Sequence, residues 1–175
     1  NDDIRVRWIR NFMHNLVREC SITFNDLVAA RFDSYQLDFW AAFTVPAGKR
    51  TGYANMIGNF TGMTQPYGGT SANGQTIPAF TLNLPLPFFY GRDSGVALPT
   101  AALPYNEMRI NFAFREWRDL LISENLLAPA GTDPRSIPGV GLGGNISAIP
   151  ELGQTQVWSN YAIVSNDERK RMACA

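Results

Sequence analysis

Residues 80–115 read FTLNLPLPFFYGRDSGVALPTAALPYNEMRINFAFR, and the two ends of this stretch decide the fold. At its start Phe80, Leu82, Leu84 and Leu86 fall on one side, with Thr81 and Asn83 on the other. At its end Met108, Ile110, Phe112 and Phe114 oppose Glu107, Arg109, Asn111 and Arg115. A period of two marks strands with one buried face. Burying each large apolar side chain stabilises by roughly 1.5–3 kcal/mol, which offsets the entropy lost in ordering the strand. Between the two segments, Pro85, Pro87, Pro99 and Pro104 have no N–H to give a ladder, so the chain leaves the sheet there. This is scaffold, not a reaction centre.

The same pattern recurs outward from that stretch. Ile, Arg, Val, Arg and Trp at 4–8 predict a short strand with Arg5 and Arg7 pointing outward. Residues 16–24 predict another, with Leu16, Cys20, Ile22 and Phe24 opposite Glu19, Ser21 and Thr23; Asn25-Asp26 then makes a turn. From Ser34 the period becomes helical: Leu37, Trp40, Ala41 and Thr44 share a face, Asp33 or Ser34 caps its start, and Pro46 follows its end. A second short helix is expected over 49–57, and one helical turn over 117–122. Residues 58–77, rich in Gly, Thr, Asn and Ser, read as an exposed loop, and residues 123–153, with clustered Pro and Gly and no periodicity, as a long functional or mobile one. Residues 156–164 predict a last strand, apolar on both faces, and the charged stretch 166–172 follows it. Strands joined by long loops, with short helices in the connections, argue for an all-β, antiparallel β-sandwich.

The totals narrow the function. The 175 residues suffice for one domain with a sizeable core, and the 45% hydrophobic content suits a folded one. Fifteen basic and fifteen acidic residues give no net charge, which weighs against a dedicated nucleic-acid binder. No apolar run reaches the ~18–20 residues that span a bilayer. Cys20 and Cys174 are too few and too far apart for a disulfide framework or a zinc site.

The chemistry-bearing motifs reduce to structural ones. GRDSG at 91–95 resembles the setting of a serine nucleophile, but Ser94 needs a His to take its proton, and His14 is the sole histidine. A tight turn held by Asp93 and Ser94 is the expected reading. GVGLGG at 139–144 satisfies G-x-G-x-x-G without the flanking strand and helix that place a pyrophosphate at a helix N-terminus, so no cofactor is expected there. The carboxylates show no calcium-loop spacing, so no metal site is expected either. His14 is expected to be a hydrogen-bonded or surface histidine, and Cys20 a small core residue. Trp8, Trp40, Trp117 and Trp158 are core or interface anchors, with a sugar groove as the competing use. Asn59-Phe60-Thr61 and Asn145-Ile146-Ser147 match the N-glycosylation acceptor tripeptide, a pattern that chance also produces.

Five blocks in order carry a resemblance: RWIRNFMHNL at 7–16, SITFND at 21–26, GYANMIGN at 52–59, LPLPFFYGRDSGVALPTAALPYNEMRI at 84–110 and NYAIVSNDERKRM at 160–172. Together they resemble the major capsid proteins of large double-stranded DNA viruses, above all the iridovirus and marseillevirus kind. The resemblance implies a viral jelly roll, one of two in a longer chain, with residues 1–175 forming most of the first and the second jelly roll absent. It places early strands before Asn1 and a closing strand after Ala175, so the chain alone is expected to be loosely folded or insoluble. It implies a structural virion protein with no enzymatic activity, no cofactor and no catalytic residue. The expected partners are a homotrimer, neighbouring capsomers and minor capsid proteins, in an icosahedral shell assembled in the host cytoplasm. The alternative is a lectin-like, carbohydrate-binding β-sandwich, since jelly rolls serve both uses.

Overall fold

An alternating segment becomes a strand only where a second one lies beside it, because its backbone N–H and C=O groups need partners. The computed structural model, which describes residues 4–69, 73–74, 76–103, 105–125 and 150–174, shows where that happens. In chain order the elements are β1 (Ile4–Trp8), α1 (Phe12–Leu16), β2 (Val17–Phe24), β3 (Leu27–Asp33), α2 (Ser34–Thr44), α3 (Arg50–Ile57), α4 (Thr61–Thr64), β4 (Met108–Phe114), α5 (Trp117–Leu120), β5 (Leu121–Asn125) and α6 (Asn166–Cys174). One sheet pairs β1 with β5 antiparallel, Trp8 facing Leu121; the other runs β3-β2-β4. The content of the described residues is therefore mixed, with antiparallel sheets beside helices of 11, 8 and 9 residues.

The chain divides into two compact units, and the division falls within β2, β3 and β4. The first draws on Asn1–Cys20, Phe32–Pro85 and Phe112–Pro150. Its core includes Leu16, Val17, Cys20, Leu37, Ile57 and Leu120, all buried. Helix α2 starts where Asp33 Oδ1 accepts the Gln36 N–H at 2.8 Å, as the capping residue at 33 predicted. Helix α3 ends at Gly58, whose φ of 87° needs a residue free of a Cβ. On β1, Arg7 Nε meets Glu124 Oε1 at 3.3 Å, a diagonal pair, since Arg7 sits opposite Ile122 and Glu124 opposite Arg5. Arg5 and Arg7 are consequently half-buried, where the alternation had placed them in solvent.

The second unit draws on Ser21–Arg31, Leu86–Asn111 and Glu151–Ala175. Asn25 and Asp26 form its hairpin turn, with φ of 48° and 66°. Two positive φ values in a two-residue loop match the right-handed twist of the flanking strands. Asn25 also ties the turn down: its N–H donates to Glu107 O at 3.0 Å, and its Oδ1 accepts the Glu107 N–H at 2.9 Å. Ile22 and Phe88 are buried in this unit, and the Phe88 and Tyr90 rings stack at 5.6 Å.

Four sequence expectations need correction. Residues 80–86 keep their alternation, with Phe80, Leu82, Leu84 and Leu86 half-buried and Thr81 and Asn83 exposed, yet they form no strand. Pro85 and Pro87 remove ladder donors, and the Asn83 N–H goes instead to Met56 O at 2.9 Å. Residues 156–164 form no strand either: 156–163 run exposed, Trp158 at 87% and Ile163 at 101%, where burial on both faces was expected. Without a ladder partner, apolar alternation cannot hold a strand. Residues 58–69 are no exposed loop, since they carry α4, bury Met63 and Tyr67, and join β1 through paired Val6–Tyr67 backbone bonds of 2.7 Å. On β4, Met108, Ile110 and Phe112 are half-buried and Arg109 and Asn111 exposed as predicted, but Phe114 is 40% exposed.

Candidate functional site

The polar centre of the first unit is built from three helices. His14 lies on α1, directly ahead of β2, and only 1% of it is exposed. Its Nδ1 stands 2.6 Å from Asp38 Oδ1 on α2, and its Nε2 stands 2.6 Å from Tyr53 Oη on α3. A carboxylate can only accept, so Nδ1–H donates to Asp38; a neutral ring then leaves Nε2 to accept from the Tyr53 hydroxyl. Burial, and then the Asp38 charge, push the Tyr53 pKa up, which keeps that hydroxyl a donor. Asn11 Nδ2 adds a weaker bond to Asp38 Oδ1 at 3.4 Å. Both ring nitrogens are engaged, so the arrangement clamps α1, α2 and α3 and offers no nitrogen to a reacting group.

The other singled-out residues are not drawn into this cluster. Ser94 opens a 3-10 turn, Ser94–Val96, and is exposed; the expected turn is there, but backbone bonds hold it, Val96 N–H to Asp93 O at 3.2 Å, and Asp93 makes no side-chain cap. GVGLGG at 139–144 and Asn145 lie outside the described residues. Asn59 is half-buried and gives its N–H to Ala54 O at 2.8 Å, at the end of α3 rather than on a loop tip. Cys20 is fully buried, and burial pushes its thiol up to about 12; Cys174 is exposed. Trp8, Trp40 and Trp117 are half-buried, Trp8 meeting Phe12 edge-on at 4.9 Å, while Trp158 is exposed. Among the described residues, no three His, Cys, Asp or Glu side chains are grouped to hold a metal. No described helix is long and apolar enough to cross a membrane.

A shallow recess of about 150 Å³ lies beside the clamp, lined by Ile9, Asn15, Ser34, Tyr35, Asp38, Arg115, Asp119 and Leu120. Ligand pockets for small molecules run to about 300–1,000 Å³, so this recess is small for one. Arg115 closes one wall, donating from Nη2 to Ser34 Oγ at 3.0 Å and from its N–H to Leu16 O at 2.9 Å. The molecule's remaining conspicuous feature is apolar surface: Leu27 and Val28 on β3, a run of aromatic rings on α2, and residues 156–164. Large apolar surfaces of this kind mark interaction faces.

A family model described as the N-terminus of the major capsid protein matches residues 2–164. The chain belongs to this family. The major capsid protein of Invertebrate iridescent virus 6 is 62% identical over 172 residues, a match covering 98% of this chain and 36% of that relative. Those of Lymphocystis disease virus 1 (isolate Darai) and Frog virus 3 (isolate Goorha) are 45% and 39% identical, again over 98% of this chain and 35% and 36% of their own lengths. The chain thus spans about a third of the capsid proteins it matches. Membership supports the structural reading over the carbohydrate-binding one. Neither the Asp38 and Tyr53 partners of His14 nor the aromatic face of α2 was foreseen from the sequence. The partners lie 24 and 39 residues from His14, and no spacing rule connects them.

Proposed function

We propose that this chain is part of a structural subunit that builds the icosahedral shell of a large double-stranded DNA virus. The family match across residues 2–164 carries the reading. In that role the strands form a wall and the connections meet neighbours. The described antiparallel sheets supply part of a jelly roll, and the longer protein supplies its remaining strands and a second jelly roll. Three subunits make one capsomer, which meets other capsomers and minor capsid proteins in the virion after assembly in the host cytoplasm. In this reading the chain works by assembly and supplies no catalytic base: its one imidazole is committed to Asp38 and Tyr53. Expressing the longer protein that contains this chain tests the reading. Mass photometry is expected to show trimers; a stable monomer at micromolar concentration would overturn the trimeric capsomer.

A further inference from the structure

We infer that Asn73-Gly74 is a self-modification site, where the Asn73 side chain closes on the Gly74 nitrogen and reopens as aspartate or isoaspartate. Of the asparagines in the chain, Asn73 alone precedes a glycine. Both residues are exposed, and a Cβ added to Gly74 would meet nothing within 4 Å, so the attacking nitrogen stands in open surroundings. The Gly74 N–H meets no acceptor among the described residues, so no hydrogen bond has to break before it reacts. Its φ of 92° favours glycine, so the turn itself calls for the residue that leaves the nitrogen uncrowded. The step needs only water. The Gly74 nitrogen loses its proton and bonds to Asn73 Cγ, the Cγ–Nδ2 bond breaks, and ammonia leaves with that proton. Nucleophile and carbonyl belong to one chain, so the attack is intramolecular and closes a five-membered imide. Water then opens the imide at either carbonyl, giving aspartate in the original backbone or isoaspartate with the backbone rerouted through the side chain.

The amide that is lost holds a turn in place. Asn73 Nδ2 donates to Pro66 O at 3.0 Å, and the Gly68 N–H donates to Gly74 O at 2.8 Å, so the turn folds back on residues 66–68. That strip joins the edge of β1 through the paired Val6 and Tyr67 bonds. Gly68 packs against β1 so closely that an added Cβ would stand 2.7 Å from Ile4 O. A carboxylate only accepts hydrogen bonds, so aspartate at position 73 cannot donate to Pro66 O. Isoaspartate also lengthens the backbone between the two bonds. Modification therefore loosens the strip from β1. The inference does not depend on the capsid reading, since it needs only this turn and water.

The test incubates the native full-length protein at 37 °C and pH 8 and maps digests by mass spectrometry over time. Asn73 is expected to gain about one mass unit at least ten-fold faster than Asn160, which is also exposed but precedes Tyr161. The product is expected to be a mixture of aspartate and isoaspartate. Equal rates at the two positions overturn the proposal. So does aspartate without isoaspartate, because direct hydrolysis of the side chain passes through no imide. A second measurement reads the consequence in Asn73→Asp, which carries the product from the start. Amide hydrogen exchange at Val6 and Tyr67 is expected to be faster than in the wild type, and exchange at the buried Ile22 unchanged. Unchanged exchange at Val6 and Tyr67, or an equal rise at Ile22, overturns the local loosening.

Discussion

His14 and Asp38, 24 residues apart in sequence, meet at 2.6 Å, and Tyr53 closes the other side of the same ring at 2.6 Å. The bonds fix the relative positions of three helices through a single imidazole. His14→Ala removes both bonds and opens a cavity, leaving the Tyr53 hydroxyl and the Asp38 carboxylate to find water. A buried group stripped of its partner costs about 1–3 kcal/mol, so a loss of that order is expected in urea unfolding. Tyr53→Phe, which removes one bond and opens no cavity, is expected to lose less.

Tyr53 also sets an alkaline limit. Its folded pKa is raised above the ordinary value of 10.0. Its contribution to stability is therefore complete below pH 10 and is lost as pH rises through the folded value, since only the unfolded chain releases the proton easily. Melting curves between pH 9 and pH 11 are expected to fall more steeply for the wild type than for Tyr53→Phe. Parallel curves would remove the ring from this role.

Thiol reactivity separates the two cysteines. Burial holds the Cys20 pKa at about 12 against an ordinary 9.0, whereas Cys174 is exposed. Iodoacetamide at pH 8 attacks thiolates, so Cys174 is expected to be alkylated in the native chain and Cys20 only after denaturation. Peptide mass mapping reads both directly.

Much of this framework was legible in the sequence, and the failures share one cause. The strands at 4–8 and 17–24, the Asn25-Asp26 turn, the cap at Asp33 and the face of β4 are local patterns, visible within a few residues. Residues 80–86 and 156–164 carry the strand pattern as clearly, yet no ladder forms there, because pairing depends on a distant neighbour that alternation does not report. Conversely, β3 (LVAARFD) and β5 (LISEN) lack alternation and were missed; β5 is a strand because β1 lies beside it. The candidate site was less legible still. His14 drew notice as the sole histidine, but its partners come from two other helices.

Gly58 is a stringent local test. Its φ of 87° disfavours any side chain, and an added Cβ would stand 2.9 Å from Met63 Sδ, 3.0 Å from Leu82 Cδ1 and 3.2 Å from the Phe12 Cβ. Left-handed backbone costs about 1–2 kcal/mol and overpacking about 1–3 kcal/mol, so Gly58→Ala is expected to destabilise by roughly 2–4 kcal/mol. Gly52→Ala, inside α3 with nothing within 4 Å, is expected to be neutral or slightly stabilising by the same urea titration.

Asn25→Ala tests the hairpin. It removes the acceptor for the Glu107 N–H and places alanine at a φ of 48°. The lost bond is worth about 1 kcal/mol and the left-handed conformation about another, so roughly 1–2 kcal/mol is expected by chemical denaturation.

The shell itself gives the most direct test of the structural role. Purified particles of the virus that carries this sequence can be digested and their proteins quantified by mass spectrometry. A shell subunit is expected to be the most abundant protein in the particle, with peptides from this chain recovered in proportion to those from the rest of the same protein. Particles in which these peptides are absent, or present only in traces, would contradict the account.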